Sequence, residues 1–175
     1  SITGFGQEGP YRDYPAYDPI VQAMSGLMAT IGYPDRPPAR IGASLIDYGT
    51  GMNAAFLVAA AVRRRDRTGE GAHIDTSLFD VAVSWMGYWV TYHARTGETP
   101  ERAGGALSGS APNDLYRAGD GEFVYVSAPT EDAFRKLCRA IDAPELAGDD
   151  RFGSRTDRWE HREALKEALE AAFAA

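Results

Sequence analysis

The stretch that most constrains this fold is Ile41-Gly42-Ala43-Ser44-Leu45-Ile46-Asp47-Tyr48-Gly49-Thr50-Gly51, together with the apolar run behind it. Arg40–Ile46 has strand character and predicts a strand that delivers one carboxylate, Asp47, to a glycine turn. Gly51–Arg65 then reads as a helix that is apolar nearly all round, through Met52, Phe56, Leu57, Val58 and Val62. A helix of that kind is buried on most sides, so other elements must cover it. Arg63, Arg64 and Arg65 close its last turn, where cations complement the negative end of the helix dipole.

Around this stretch, Ser1–Gly6 and Ala72–Thr76 read as further strands. In Ile20–Ile31 the apolar residues recur at steps of three and four, the spacing of one helix face, and Gly32 stops that helix. Gln7–Pro19, with three prolines, is loop. Leu78–Ala94 is a helix, and its cluster from Trp85 to Tyr92 has the spacing of core residues. Strand and helix therefore alternate over the first 95 residues, which predicts an α/β layer with parallel strands. Residues 96–113 form a linker and mobile loop rich in glycine and serine. The hairpin signal Asp120-Gly121 joins strands Leu115–Arg117 and Phe123–Ala128. Helix Glu131–Ile141 carries Thr130 as its N-cap, Asp149–Arg158 is a charged connection, and Trp159–Ala175 is a final helix. Residues 114–175 thus read as a small α+β domain.

Composition bounds the function. With a net charge of −7, the chain lacks the basic surface that binds nucleic acid. Its single cysteine, Cys138, lies in an amphipathic helical pattern and suits a reducing cytoplasm. His73, His93 and His161 have no metal-ligand spacing, so no metal site is expected. Neither a signal peptide nor a continuous apolar run long enough for a membrane helix is visible. The chain begins at Ser1 inside a strand and ends on a helical run, and it reads as a segment of a longer protein.

The central stretch admits three chemistries. Gly49-Thr50-Gly51-Met52-Asn53-Ala54 fits a dinucleotide fingerprint, although Asp47 would then repel the pyrophosphate. Asp47 could instead only cap the following helix. Alternatively it is a nucleophile. A helix N-terminus favours its charge, Gly49 and Gly51 allow a bulky ligand to approach, and a carboxylate can attack an activated acyl group. The resulting anhydride would need shielding from water, which the segment Gly104–Pro112 could supply. Asp75-Thr76-Ser77 matches a protease element but has no second copy to form a carboxylate dyad, and its expected role is capping.

Taken together, Ser1–Tyr11, Tyr17–Ala23, Gly26-Leu27-Met28, Asp47-Tyr48-Gly49-Thr50-Gly51, Arg65–Gly71 and Asp75–Asp80 resemble the family III CoA-transferases, which also contain the α-methylacyl-CoA racemases. The resemblance continues through Asp120-Gly121 and Pro144–Phe152. It implies a Rossmann-like parallel-sheet large domain followed by a small α+β domain, in an interlocked homodimer, with this chain as the middle segment. It implies an acyl-CoA thioester and a carboxylic acid as substrates, with no permanently bound cofactor. Asp47 matches the aspartate that becomes acylated, and Ser108, Gly109 and Ser110 match a glycine-rich covering loop, here without a full run of glycines. Thirty residues before the aspartate the racemases place a histidine. Here Tyr17 stands there, and a phenol is a poorer base than imidazole at neutral pH. Tyr17 also matches a substrate-lining tyrosine of the transferases, and Asp18 beside it would orient the substrate. Transferase is therefore favoured. The alternatives are a racemase and a non-catalytic fragment that binds CoA or forms dimers.

Overall fold

The computed structural model describes residues 1–174 and divides into two compact units, Ser1–Arg102 and Ala103–Ala175. The last residue of the predicted final helix, Ala175, lies outside the described residues.

In the first unit, strand β1 (Ile2–Thr3) pairs in parallel with β2 (Thr76–Ser77), Ile2 opposite Thr76. Between them lie α1 (Asp18–Met24), a 3-10 turn at Leu27–Thr30, and the long helix α2 (Leu45–Thr68). After β2 come α3 (Leu78–Trp85) and α4 (Gly87–Thr96). The predicted helix Ile20–Ile31 thus shortens, because Gly26 takes a left-handed φ of 83° and breaks it. Leu78–Ala94 divides at Met86. Ser77 caps α3, its hydroxyl accepting from the Asp80 N–H at 3.0 Å, while Asp75 accepts from the Gln7 N–H instead.

The principal correction concerns Arg40–Ile46, which forms no strand. The backbone donors that a strand would offer to a neighbour are taken by side chains. The Ile41 N–H donates to Gln22 Oε1 at 2.9 Å, and the Ile46 N–H donates to Asp18 Oδ2 at 2.7 Å. The chain therefore turns into helix at Leu45, so Asp47, Gly49 and Gly51 are helical residues rather than turn residues. What remains of the predicted parallel sheet among the described residues is the β1–β2 pair. The α/β class stands in that reduced form.

Helix α2 also departs from its predicted burial. It packs on α1 and α3 through Ile46, Gly49 and Thr50. Its other faces are open, with Tyr48, Met52 and Phe56 exposed at 69%, 75% and 71%. By length and composition α2 also meets the threshold for crossing a membrane. Its polar and close contacts nevertheless bind it to protein. Asn53 donates to the Thr76 hydroxyl at 3.0 Å, and the Trp85 indole lies directly on Gly49.

The second unit has its own core. Strands β3 (Asn113–Arg117) and β4 (Phe123–Ser127) form an antiparallel hairpin with Arg117 opposite Phe123. Gly121, at φ 87°, makes the predicted turn. Helix α5 (Glu131–Ala140) starts at Thr130, whose hydroxyl accepts from the Ala133 N–H at 3.2 Å. Two 3-10 turns (Pro144–Gly148 and Asp150–Phe152) lead to α6 (Arg155–Glu160) and α7 (Arg162–Phe173). Tyr116, Phe134, Cys138, Phe152, Leu165 and Leu169 pack together. Burial pushes the Cys138 thiol up from its ordinary value, which makes it a poor source of thiolate.

Arg158, placed by the sequence in a charged connection, is fully buried in α6. Its guanidinium lies 4.8 Å from the Phe134 ring and donates to the carbonyls of Ala111 at 2.9 Å and Phe152 at 3.2 Å. These partners satisfy a group that would be costly to bury alone.

Candidate active site

The residues that matter most meet at the start of α2. The helix exposes its first N–H groups there, and its own N-cap residue, Ser44, makes no side-chain cap. Asp18 does that work from 29 positions upstream, accepting from the Ile46 N–H at 2.7 Å and the Asp47 N–H at 3.1 Å. Gln22, one turn further along α1, donates to the other Asp18 oxygen. Both side chains are buried, Asp18 at 3% exposure and Gln22 fully. Asp18, expected to orient a substrate, is turned inward here and accepts from the backbone at the start of α2.

Asp47 stands in the first turn of α2 and is exposed. Its carboxylate makes no hydrogen bond or ion pair among the described residues. This bears on the capping role that the residues alone left open. The helix N–H groups are capped by Asp18, so Asp47 is not the cap. An exposed, unpartnered carboxylate at the positive end of a helix is free to meet a ligand.

The other predicted site residues take distinct places. Tyr17 is the N-cap residue of α1 and is 76% exposed. Its neighbour Asp18 hydrogen-bonds the backbone of Asp47, so the structure brings Tyr17 and Asp47 to adjoining helix starts. Gly49 is buried, and a Cβ there would run into the Trp85 indole. Its missing side chain makes room for protein, which differs from the predicted role of admitting a ligand. Gly51 is exposed, with nothing within 4 Å of a Cβ placed on it, so its surface is open. Beside Gly49, Asn53, Asp80, Val81, Ser84 and Trp85 line a shallow cavity of about 280 Å³ between α2 and α3.

Ser108, Gly109 and Ser110 belong to the second unit. They lie in a tight turn. The Ser110 N–H donates to the Leu107 carbonyl at 3.1 Å, and the Gly109 carbonyl accepts from Arg155 Nε at 3.1 Å. Ser108 and Gly109 are exposed, while Ser110 is buried with its hydroxyl unpaired. Sequence reasoning missed Gln22. The signal was present, a glutamine four residues after the aspartate on a short amphipathic helix, but such a pair is common on helices.

The family model for CoA-transferase family III matches residues 1–175, and the chain belongs to that family. It is 45% identical over 99% of its length to the acetyl-CoA:oxalate CoA-transferase of Acetobacter aceti, covering 44% of that protein. It is 36% identical over 97% of its length to the succinyl-CoA–D-citramalate CoA-transferase of Chloroflexus aurantiacus, covering 42% of that protein. Among solved structures, a CAIB/BAIF family protein from Brucella suis superposes with a TM-score of 0.82 at 35% identity, over 99% of this chain and 46% of that one. The chain therefore spans less than half the length of the relatives it matches.

Proposed function

We propose that this chain carries the reacting aspartate of an enzyme that moves CoA from an acyl-CoA thioester to a carboxylic acid. The observation that carries the reading is the Asp47 carboxylate, exposed and unpartnered on a helix start that Asp18 already caps. The named relatives, all CoA-transferases acting on carboxylic acids, support it.

The chemistry balances without a further reactant. An Asp47 oxygen attacks the thioester carbonyl carbon, the C–S bond breaks, and CoA leaves as thiolate, forming a mixed anhydride. The thiolate then attacks the aspartyl carbonyl, which releases the donor acid as carboxylate and leaves an aspartyl-CoA thioester. The acceptor carboxylate attacks that thioester and expels the thiolate once more. Return of the thiolate to the acceptor's acyl carbon yields the new acyl-CoA and free Asp47. Each intermediate is sensitive to water, so the site needs cover while they exist. Ser108, Gly109 and Ser110 are the proposed cover, and Tyr17 and Gly51 the proposed substrate contacts. Asp47 needs no metal or bound cofactor for these steps.

In the complete protein we place this chain as the later part of a Rossmann-like large domain followed by a small domain, within a cytoplasmic homodimer. The test is trapping. The protein expressed from its complete reading frame is incubated with acetyl-CoA and oxalate, quenched, digested and weighed by mass spectrometry. A CoA or acyl adduct on the peptide bearing Asp47 is expected. Turnover with no adduct there, and undiminished turnover in Asp47→Ala, would reject the reading.

A further inference from the structure

We propose that Asp18 is a positioning residue for Asp47, with Gln22 as the side chain that orients it. The proposal rests on Asp47 being the reacting group and adds how that group is held. Four observations lead to it. The α2 start has no local side-chain cap. Asp18 accepts from both the Ile46 and the Asp47 N–H groups. Gln22 bridges Asp18 to the Ile41 N–H, tying down the segment that enters the helix. Finally, Asp18 and Gln22 are buried, so neither can touch a substrate from the surface.

Two physical consequences follow. An acidic residue in the first turn of an uncapped helix tends to fold back onto the free N–H groups, as in a capping box. Asp18 occupies the Ile46 and Asp47 N–H groups, and the Asp47 carboxylate makes no hydrogen bond among the described residues, so its oxygens stay free for attack. The bond from Asp18 to the Asp47 N–H also fixes the backbone from which the nucleophile projects, and misplacing a reacting atom by about 1 Å can cost about 100-fold in rate. A buried carboxylate 29 positions away in sequence is thus part of the geometry of the nucleophile while contributing no atom to the reaction.

The experiment compares Asp18→Asn, Gln22→Leu and the double variant Asp18→Asn/Ser44→Asp in the protein from its complete reading frame. Asp18→Asn keeps the shape but replaces one acceptor oxygen with an amide donor. Ser44→Asp supplies a carboxylate at the N-cap, from which it can accept the same N–H groups. For Asp18→Asn, kcat should fall at least 10-fold with KM for acyl-CoA within twofold, and Gln22→Leu should show a smaller fall of the same kind. The double variant should recover at least a third of the lost kcat. A KM rise with kcat unchanged would overturn the proposal, because it would mean that Asp18 contacts substrate. So would a thermal midpoint restored by Ser44→Asp without recovery of kcat. Should Asp18→Asn fail to fold, Gln22→Leu and the double variant decide alone by the same criteria, and full kcat in Gln22→Leu rejects the proposal. Asp47→Ala is run alongside. If it stays active, the nucleophile reading has failed. If it is inactive while Asp18→Asn is fully active, only the positioning role has failed.

Discussion

In Ala103–Ala175, Tyr116, Phe134, Phe152, Leu165 and Leu169 are sealed from water, and the buried cation Arg158 lies against the Phe134 ring and donates to the Ala111 and Phe152 carbonyls. In Ser1–Arg102 the corresponding cluster is small, built on Val21, Ile46 and Ala82, while Tyr48, Met52 and Phe56 face outward from the longest helix. The first unit is instead organised at its important end by hydrogen bonds, those of Asp18 and Gln22 to the backbone of 41–47. Apolar packing shapes one region, and a buried polar network holds the backbone entering α2 in the other. A network of that kind fixes donor and acceptor directions, which a non-directional hydrophobic contact does not.

The sharpest way to break the contrast is to exchange the two kinds of residue in the complete protein. Asp47→Ala should lower CoA transfer by at least ~10⁴-fold, as loss of a covalent nucleophile does, and leave the unfolding midpoint in urea unchanged. Phe134→Ala should behave in the opposite way. It removes a buried ring that also carries Arg158, so it should cost about 3–5 kcal/mol in urea unfolding. Met52→Ala, on the open face of α2, should stay within about 0.5 kcal/mol in this chain.

Two glycines two positions apart in α2 sharpen it further. A helical Gly→Ala change ordinarily stabilises by about 0.5–1 kcal/mol. Gly51→Ala, which meets open space, should follow that rule. Gly49→Ala should reverse the sign and cost about 1–3 kcal/mol, because its methyl group would displace Trp85. Equal stabilisation by both would mean that the Trp85 contact does not exist in solution.

The smallest effect lies in the second unit. The Arg151 guanidinium beside Asp149, with help from the Arg151 N–H, holds that carboxyl down at about 2. A depressed carboxylate adds stability above its unfolded value, near ~3.9, and that stability is lost as pH falls from there toward 2. An NMR titration should therefore place Asp149 near 2 and move it upward in Arg151→Ala.

Much of the second unit was legible because its signals are local. Thr130 caps α5 from the adjoining position, and Asp120-Gly121 turns the hairpin within its own five-residue loop. Arg158 was not legible, since burial of a charge depends on partners at Ala111 and Phe152 that only packing assembles. In the first unit, periodicity found the helices, and the family pattern singled out Asp47 and Tyr17. The strand predicted at 40–46 was wrong for one physical reason. Whether an apolar run becomes strand or helix start depends on what accepts its N–H groups. Here the acceptors sit on another helix, about twenty to thirty residues away in sequence.

By itself the sequence determined that a lone carboxylate stands at the head of an apolar helix, in a pattern of motifs that marks one family, because those features are written in adjacent residues. Only the tertiary structure decided that Asp47 is free and Asp18 is not. Two aspartates near one helix start compete for the same N–H groups. The one that packs inside holds them, and the other is left exposed.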